Sequence, residues 1–215
     1  MGSLEQFKHD YDVKTTKFSV AGQDLTLFTP VSIDRFINTD DVFHNFPLWT
    51  KIWEATAVLS TRLSTIPVDP GVRLLEIGAG MGVTGIYAAK LGHRITITEY
   101  NTDALAFARA NAALNNIPNP DIRELDWNLP MIEGQFDYII GSEIVFKEQD
   151  IMGLFLLFKR YLKPDGTIIL AETMRKTSFK FIQEMEKHYT LSMKKHAIKT
   201  DTRDIPVVLF EMKEK

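Results

Sequence analysis

Residues 73–100, RLLEIGAGMGVTGIYAAKLGHRITITEY, decide the fold. Apart from Arg73 and Glu76, the first five residues are apolar and read as a short buried strand. Glycines then alternate at Gly78, Gly80 and Gly82, a helical pattern runs over 83–91, and Gly92 makes a turn. A second strand over 95–98 ends on Glu99. In a parallel α/β sheet the ligand crevice lies beyond the carboxyl ends of the strands. Glu76, the glycines and Glu99 all fall on that edge, and a nucleoside-bearing cofactor is its natural occupant.

The flanking segments repeat the alternation of strand and helix. Upstream, residues 14–30 alternate around Phe18, Val20, Leu25 and Leu27, with the turn at Ala21-Gly22-Gln23-Asp24, and predict a β-hairpin. A polar stretch through Asp40 and Asp41 leads to a helix opened by Pro47, with Trp49, Ile52, Trp53 and Leu59 on one face and Pro67 ending it. Downstream, Asn101 or Thr102 caps a helix over 103–114, and 121–125 is a weak strand before Asp126-Trp127. A clearer strand covers 136–141, and an amphipathic helix reaches about 162. Lys163-Pro164-Asp165-Gly166 is a turn, 167–171 a buried strand, and 178–188 a helix. Strands near 190–196 and 205–212 are joined too tightly for a helical crossover, so they pair antiparallel at one edge. The expected fold is α/β: a doubly wound, mostly parallel seven-stranded sheet, with residues 1–45 as an N-terminal hairpin extension and 46–215 as the main domain.

Composition narrows the function. The chain has 215 residues with 25 Lys and Arg against 28 Asp and Glu, a net charge of -3, so nothing global attracts nucleic acid or an anionic membrane. It has no cysteine, which excludes disulfides, thiolate catalysis and Cys-ligated zinc. No secretory pattern and no run of ~20 apolar residues is visible, so a cytoplasmic protein is the expectation. His44 and His93 are isolated, no histidine pair has ligand spacing, and no metal is expected.

The glycine turn by itself admits two cofactors. Gly80, Gly82 and Gly85 fit the dinucleotide pattern G-x-G-x-x-G with Glu99 19 residues beyond Gly80, which makes an NAD-dependent oxidoreductase the rival. Glu76, an acid inside an apolar strand two residues before the first glycine, is expected to face the crevice and hold a cationic ammonium. Glu99 is placed to accept ribose hydroxyls, a role common to both cofactors. Asp126 is placed to accept from an adenine amino group, and the Trp127 indole to cover the ring. Together these favour a sulfonium nucleoside.

The segments LLEIGAGMG, TITEY, ELDW, FDYIIGSEIVF and LKPDGTIIL resemble, in order, motifs of the class I S-adenosylmethionine-dependent methyltransferases. More narrowly, they are similar to the family-16 protein-lysine methyltransferases. PLWTKIWEATAVLS resembles that family's cofactor-side helix, and the Pro47-Trp49-Trp53 spacing resembles the branch acting on an electron-transfer flavoprotein subunit. The resemblance implies S-adenosylmethionine as cofactor and a protein lysine as acceptor. It implies that Glu76, Gly78, Ala79, Gly80 and Gly82 hold the methionine part, Glu99 the ribose, and Tyr100, Asp126 and Trp127 the adenine. Trp53 and Ser142 would line the cofactor from above. The family's acid-x-x-Tyr signature reads Glu143-Ile144-Val145-Phe146 here, with Glu for Asp and Phe for Tyr. Glu143 would orient the acceptor amine or relay its proton, and Phe146, with Trp49 beside it, would wall the channel and stabilise the cation. A small-molecule N-methyltransferase of the same fold and a non-catalytic cofactor-binding module are the other readings. No nucleic-acid or membrane partner is expected, and the chain would be a monomer or weak dimer.

Overall fold

The computed structural model describes residues 4–37, 46–200 and 203–215; His44, Asp40 and Asp41 lie outside them. The chain begins with helix α1 (Leu4–Asp10) and the antiparallel pair β1 (Val13–Val20) and β2 (Gln23–Pro30). After helix α2 (Glu54–Leu63) come β3 (Arg73–Glu76), α3 (Val83–Leu91), β4 (Arg94–Glu99), α4 (Thr102–Leu114), β5 (Asp121–Glu124) and β6 (Phe136–Ser142). The chain ends with α5 (Asp150–Tyr161), β7 (Leu162–Glu172), α6 (Lys176–Met185), β8 (Tyr189–Lys199) and β9 (Asp204–Glu214). Seven strands form one sheet in the order β5-β4-β3-β6-β7-β9-β8. β9 is antiparallel to both β7 and β8, and the other pairings are parallel. The order reverses between β3 and β6, which opens the ligand crevice beyond their carboxyl ends.

Strand alternation divides the core between the two faces of the sheet. Leu75, Ile77 and Ile139 pack with α5 and α6 through Leu154, Phe158 and Phe181. Leu74, Ile97 and Ile140 pack with α2 and α3 through Leu59, Leu63 and Ile86. Among the described residues, no helix is long and apolar enough to cross a membrane.

Four boundaries differ from the sequence expectation. The hairpin turn is only Ala21-Gly22, with Val20 paired to Gln23, because both residues take the positive φ (47° and 76°) of a tight two-residue hairpin turn. The helix expected from Pro47 is a 3-10 turn, Leu48–Thr50, followed by extended chain to Trp53, and α2 starts only at Glu54. The Trp53 indole N–H donates to the Leu48 carbonyl at 3.0 Å, which closes this segment into a loop instead of a helix. The turn at residues 163–166 is a bulge inside β7: Leu162 pairs with Phe136, Asp165 takes φ 64°, and pairing resumes at Thr167 with Tyr138. α6 begins at Lys176, and the Arg175 amide donates to Ser178 Oγ at 3.0 Å.

The hairpin is fastened by asparagines of α4. Thr26 N–H donates to Asn115 Oδ1 at 3.1 Å and Phe28 N–H to Asn111 Oδ1 at 2.7 Å, which satisfies the outer edge of β2. Buried Asn111 also donates to the carbonyls of Phe28 and Met81, so one side chain joins the hairpin to the glycine loop. An aromatic cluster adds to the joint: Phe107 of α4 meets Phe7 at 5.0 Å, and Trp49 meets Phe36 at 4.7 Å. Asn111→Leu leaves the Phe28 amide buried and unpaired, a loss of about 1–3 kcal/mol. Urea unfolding of this variant should show that decrease at an unchanged m-value.

Candidate cofactor and acceptor site

β3, β4, β5 and β6 end side by side, and the residues that follow them surround a cleft of about 700 Å³. Its floor is the glycine loop, where Gly78, Gly80 and Gly82 take φ values of 61°, 55° and 79°. The Ala79 amide donates to the Thr98 carbonyl at 3.0 Å, which pins the loop to β4. A Cβ on Gly78 would lie 2.9 Å from Ile144 Cγ2, and one on Gly80 3.5 Å from the Trp49 carbonyl oxygen. Gly82 lies against α4, where a Cβ would meet that of Ala108 at 3.0 Å. The loop therefore offers bare backbone to the cleft.

Glu99, at the tip of β4, is fixed by three amides. Oε2 accepts from Gly80 at 2.8 Å, and Oε1 accepts from Tyr100 at 2.8 Å and Asn101 at 2.9 Å. A carboxylate has about four acceptor positions, so one remains for a sugar hydroxyl and the shared amides could yield another. Tyr100 stands on the rim, 65% exposed. Across the cleft, Asp126 accepts from the Asn128 amide at 2.8 Å, and the Trp127 indole is hydrogen-bonded to Asp150. Burial pushes the Asp150 carboxyl up, the neighbouring Asp126 charge adds to this, and Lys147 opposes it. Ser142, half-buried at the end of β6, and Trp53 close the wall.

Glu76 is not in the crevice. Its face of β3 is that of Leu74, toward α3, and the carboxyl is buried against Gly85 of that helix, with Oε2 lacking a well-formed hydrogen bond. A Cβ on Gly85 would sit 2.3 Å from that oxygen, so the third glycine of the dinucleotide pattern exists here to let α3 close over Glu76. Burial pushes the Glu76 carboxyl up to about 8; the Gly85 amide offsets this only in part, and the Glu99 charge adds to it. Glu76 is thus absent from the cleft lining where the ammonium contact was expected, and its carboxyl lies against Gly85 of α3.

The acceptor side departs further from expectation. Glu143 takes φ 52° and is buried, and both carboxylate oxygens are engaged. Oε1 accepts from Thr173 N–H at 2.9 Å, while Oε2 accepts from Thr173 Oγ1 at 3.0 Å and from the Arg175 guanidinium. Glu172, at the end of β7, accepts from the Ile144 and Val145 amides at 2.8 and 3.3 Å, and its other oxygen lies 3.5 Å from Arg175. Burial, with the Glu143 charge beside it, pushes Glu172 up to about 8. Arg175 also lies over the Phe146 ring, 4.3 Å from its centroid. The cation on Phe146 is therefore Arg175 of the protein itself. Trp53 is the ring beside Phe146, at 6.4 Å. Trp49 contributes backbone over Gly80, while its ring packs with Phe36 and Phe107, so its expected place beside Phe146 is taken by Trp53. His93 is buried, and burial holds its imidazole below the usual range.

Glu172 and Arg175 are the residues that sequence reading missed. Glu172 carries the signal that marked Glu76, an acid ending an apolar strand (IILAE against RLLE). Arg175 carries no local signal, since its partners lie in two separate segments.

The donor set fits a nucleoside with a cationic tail. The carboxylates of Glu99, Asp126 and Asp150 line the cleft, and buried Glu76 lies at the first turn of α3, where a dinucleotide would place its pyrophosphate. Sheet order, glycine loop and a strand-end acid held by loop amides define a doubly wound α/β protein of the nucleoside-binding kind. A glycopeptide N-methyltransferase solved with S-adenosyl-L-homocysteine shares the fold, with TM-score 0.53 and 16% identity over 73% of this chain and 86% of that one. The lysine methyltransferase family profile matches residues 45–194, and the chain belongs to that family. Protein N-lysine methyltransferase METTL21A of Xenopus tropicalis is 29% identical over 76% of this chain and 79% of its own. METTL21A of Mus musculus is 32% identical over 66% and 68%. The cofactor is S-adenosylmethionine, and the oxidoreductase reading falls.

Two outcomes follow. Gly78→Ala forces a side chain into a left-handed position and toward Ile144, so calorimetric titration with S-adenosylhomocysteine should show about tenfold weaker binding or worse. For Glu76, a folded value near 8 lies above the unfolded ~4.3. Its stabilisation is complete below about pH 4 and is lost as pH rises through 8. Between pH 5.5 and 7.5 the cofactor-free protein should therefore lose up to about 1.4 kcal/mol per pH unit more than Glu76→Gln does. Urea unfolding at the two pH values tests this, and equal slopes would mean that Glu76 is ionised.

Proposed function

We propose that this chain is a cytoplasmic enzyme that methylates lysine side chains of protein substrates, and that Trp53, Phe146 and the Glu143–Arg175 pair form the wall past which the lysine enters. The observation that carries the reading is the pair of aromatic rings that line the same cleft as the glycine loop, with the neighbouring Glu143 carboxylate ion-paired to Arg175. The relatives' activity on protein lysines supports the acceptor class.

S-adenosylmethionine supplies a methyl group on a sulfonium, electrophilic without help from a protein acid. The chain's own part is to hold the cofactor through Gly78, Ala79, Gly80, Gly82, Glu99, Tyr100, Asp126, Trp127 and Ser142, and to align the amine in line with the departing sulfur. A lysine amine has a pKa of ~10.4 in water, so it must enter unprotonated or lose its proton on the way. The aromatic wall favours the neutral amine by excluding water. Glu143, engaged by Thr173 and Arg175, is assigned here to holding Phe146 in place, and the proton leaves to solvent at the channel mouth.

Incubation of the protein with labelled cofactor and a cell extract should label discrete protein bands, with the label on lysine Nζ by mass spectrometry. Label confined to small molecules would overturn the protein-lysine reading. A general base contributes ~10²–10⁴-fold. Glu143→Gln should therefore lower turnover by well under about 10²-fold, with cofactor affinity unchanged. A larger loss that rising pH restores would return Glu143 to the role of base. Phe146→Ala, which removes one of the two rings, should reduce turnover more than Glu143→Gln does.

A further inference from the structure

We propose that a groove adjoining the cofactor cleft seats the substrate polypeptide, and that it takes an extended segment bearing apolar and acidic side chains next to the target lysine. The inference rests on the protein-lysine reading above. The groove has a volume of about 520 Å³ and runs between one face of the hairpin and the segment that carries the two tryptophans. Lys14 and Thr29, opposite one another on β1 and β2, form one side, with Val31 at the end of the hairpin. Phe46, Lys51 and Trp53 form the other.

Three observations point to a polypeptide that continues into the site. The groove and the cofactor cleft share Phe46, Lys51 and Trp53, so a chain lying in one reaches the other without leaving the surface. Trp53 is the partition: its indole N–H is tied to the Leu48 carbonyl, and its ring stands 6.4 Å from Phe146. Val31 and Phe46 are 51% and 46% exposed. Single exposed apolar residues are ordinary; these two line one concavity that opens on the reaction site.

Charge selects the kind of segment. The described residues lining the groove include two lysines and no carboxylate, in a chain whose net charge is -3. Lys51 leans over the Trp53 ring at 4.4 Å and reaches Glu54 at 3.4 Å. Lys14 is exposed and has no partner among the described residues. An acidic residue near the target lysine would pair with Lys14, and a basic one would meet its like charge, since Lys51 is already paired with Glu54. Complementary charge at an interface rim governs partner choice more than total affinity.

The test uses the full chain with saturating S-adenosylhomocysteine and two fluorescein-labelled twelve-residue peptides. Each has one central lysine and two leucines, one peptide flanked by glutamates and the other by arginines. Fluorescence anisotropy should show the acidic peptide binding about tenfold more tightly. Lys14→Glu should reverse that preference and Val31→Asp should weaken the acidic peptide, with S-adenosylhomocysteine affinity unchanged in both, since neither residue lines the cofactor cleft. A preference reversal is an effect that misfolding does not mimic. Equal affinity for the two peptides, no reversal in Lys14→Glu, or self-association of the wild type that Val31→Asp abolishes would overturn the groove assignment. Acid-selective binding with no methyl transfer to the peptide lysine when S-adenosylmethionine replaces S-adenosylhomocysteine would keep the groove and overturn the lysine-transfer reading instead.

Discussion

The carboxylate of Glu99 ties the site together. One side chain accepts amides from the glycine loop at Gly80 and from the turn into α4 at Tyr100 and Asn101. Its own carbonyl accepts from Leu125 at 3.0 Å, which sets where β5 gives way to Asp126 and Trp127. Hydrogen bonds to a charged acceptor contribute about 1.5–3 kcal/mol each, so the loop, the rim and the facing wall are positioned by one strong, local set of contacts. Asn101 then caps α4 through its side chain to the Ala104 amide at 2.9 Å. Asn111, three turns along the same helix, carries that order out to the hairpin.

Two further acids, Glu76 and Glu172, end apolar strands and are buried; Glu172 has the Ile144 and Val145 amides and Arg175 as partners, whereas Glu76 has only the Gly85 amide. Burial pushes both carboxyls up to about 8, and at Glu172 two amides and Arg175 oppose that shift. Glu76 lies against Gly85 in the first turn of α3. Glu172 holds the chain after β6 by its amides and shares Arg175 with Glu143.

Much of this was legible along the chain. Period-two and period-3.6 patterns placed most of the elements, since those patterns are what burial on one or two faces requires. That the alternating glycines, Glu99 and Asp126-Trp127 share one cleft was legible because strand ends in a parallel sheet converge on one edge. The orientation of Glu76 was also readable, by counting parity from Leu74, and sequence analysis placed it on the wrong face. The tryptophan segment was misread as helix because its spacing is helical, while the Trp53-to-Leu48 hydrogen bond that breaks the helix depends on the local turn.

The sequence by itself determined the fold class, the cofactor edge and the family, because these follow from patterns local to single strands, turns and helices. Only the tertiary structure decided what the acceptor-side residues do. Glu143, Phe146, Glu172 and Arg175 come from two segments about thirty residues apart, joined when β6 and β7 pair. Which carboxylate meets the guanidinium, and which ring stands beside Phe146, is fixed by that pairing and by burial. No local pattern encodes either.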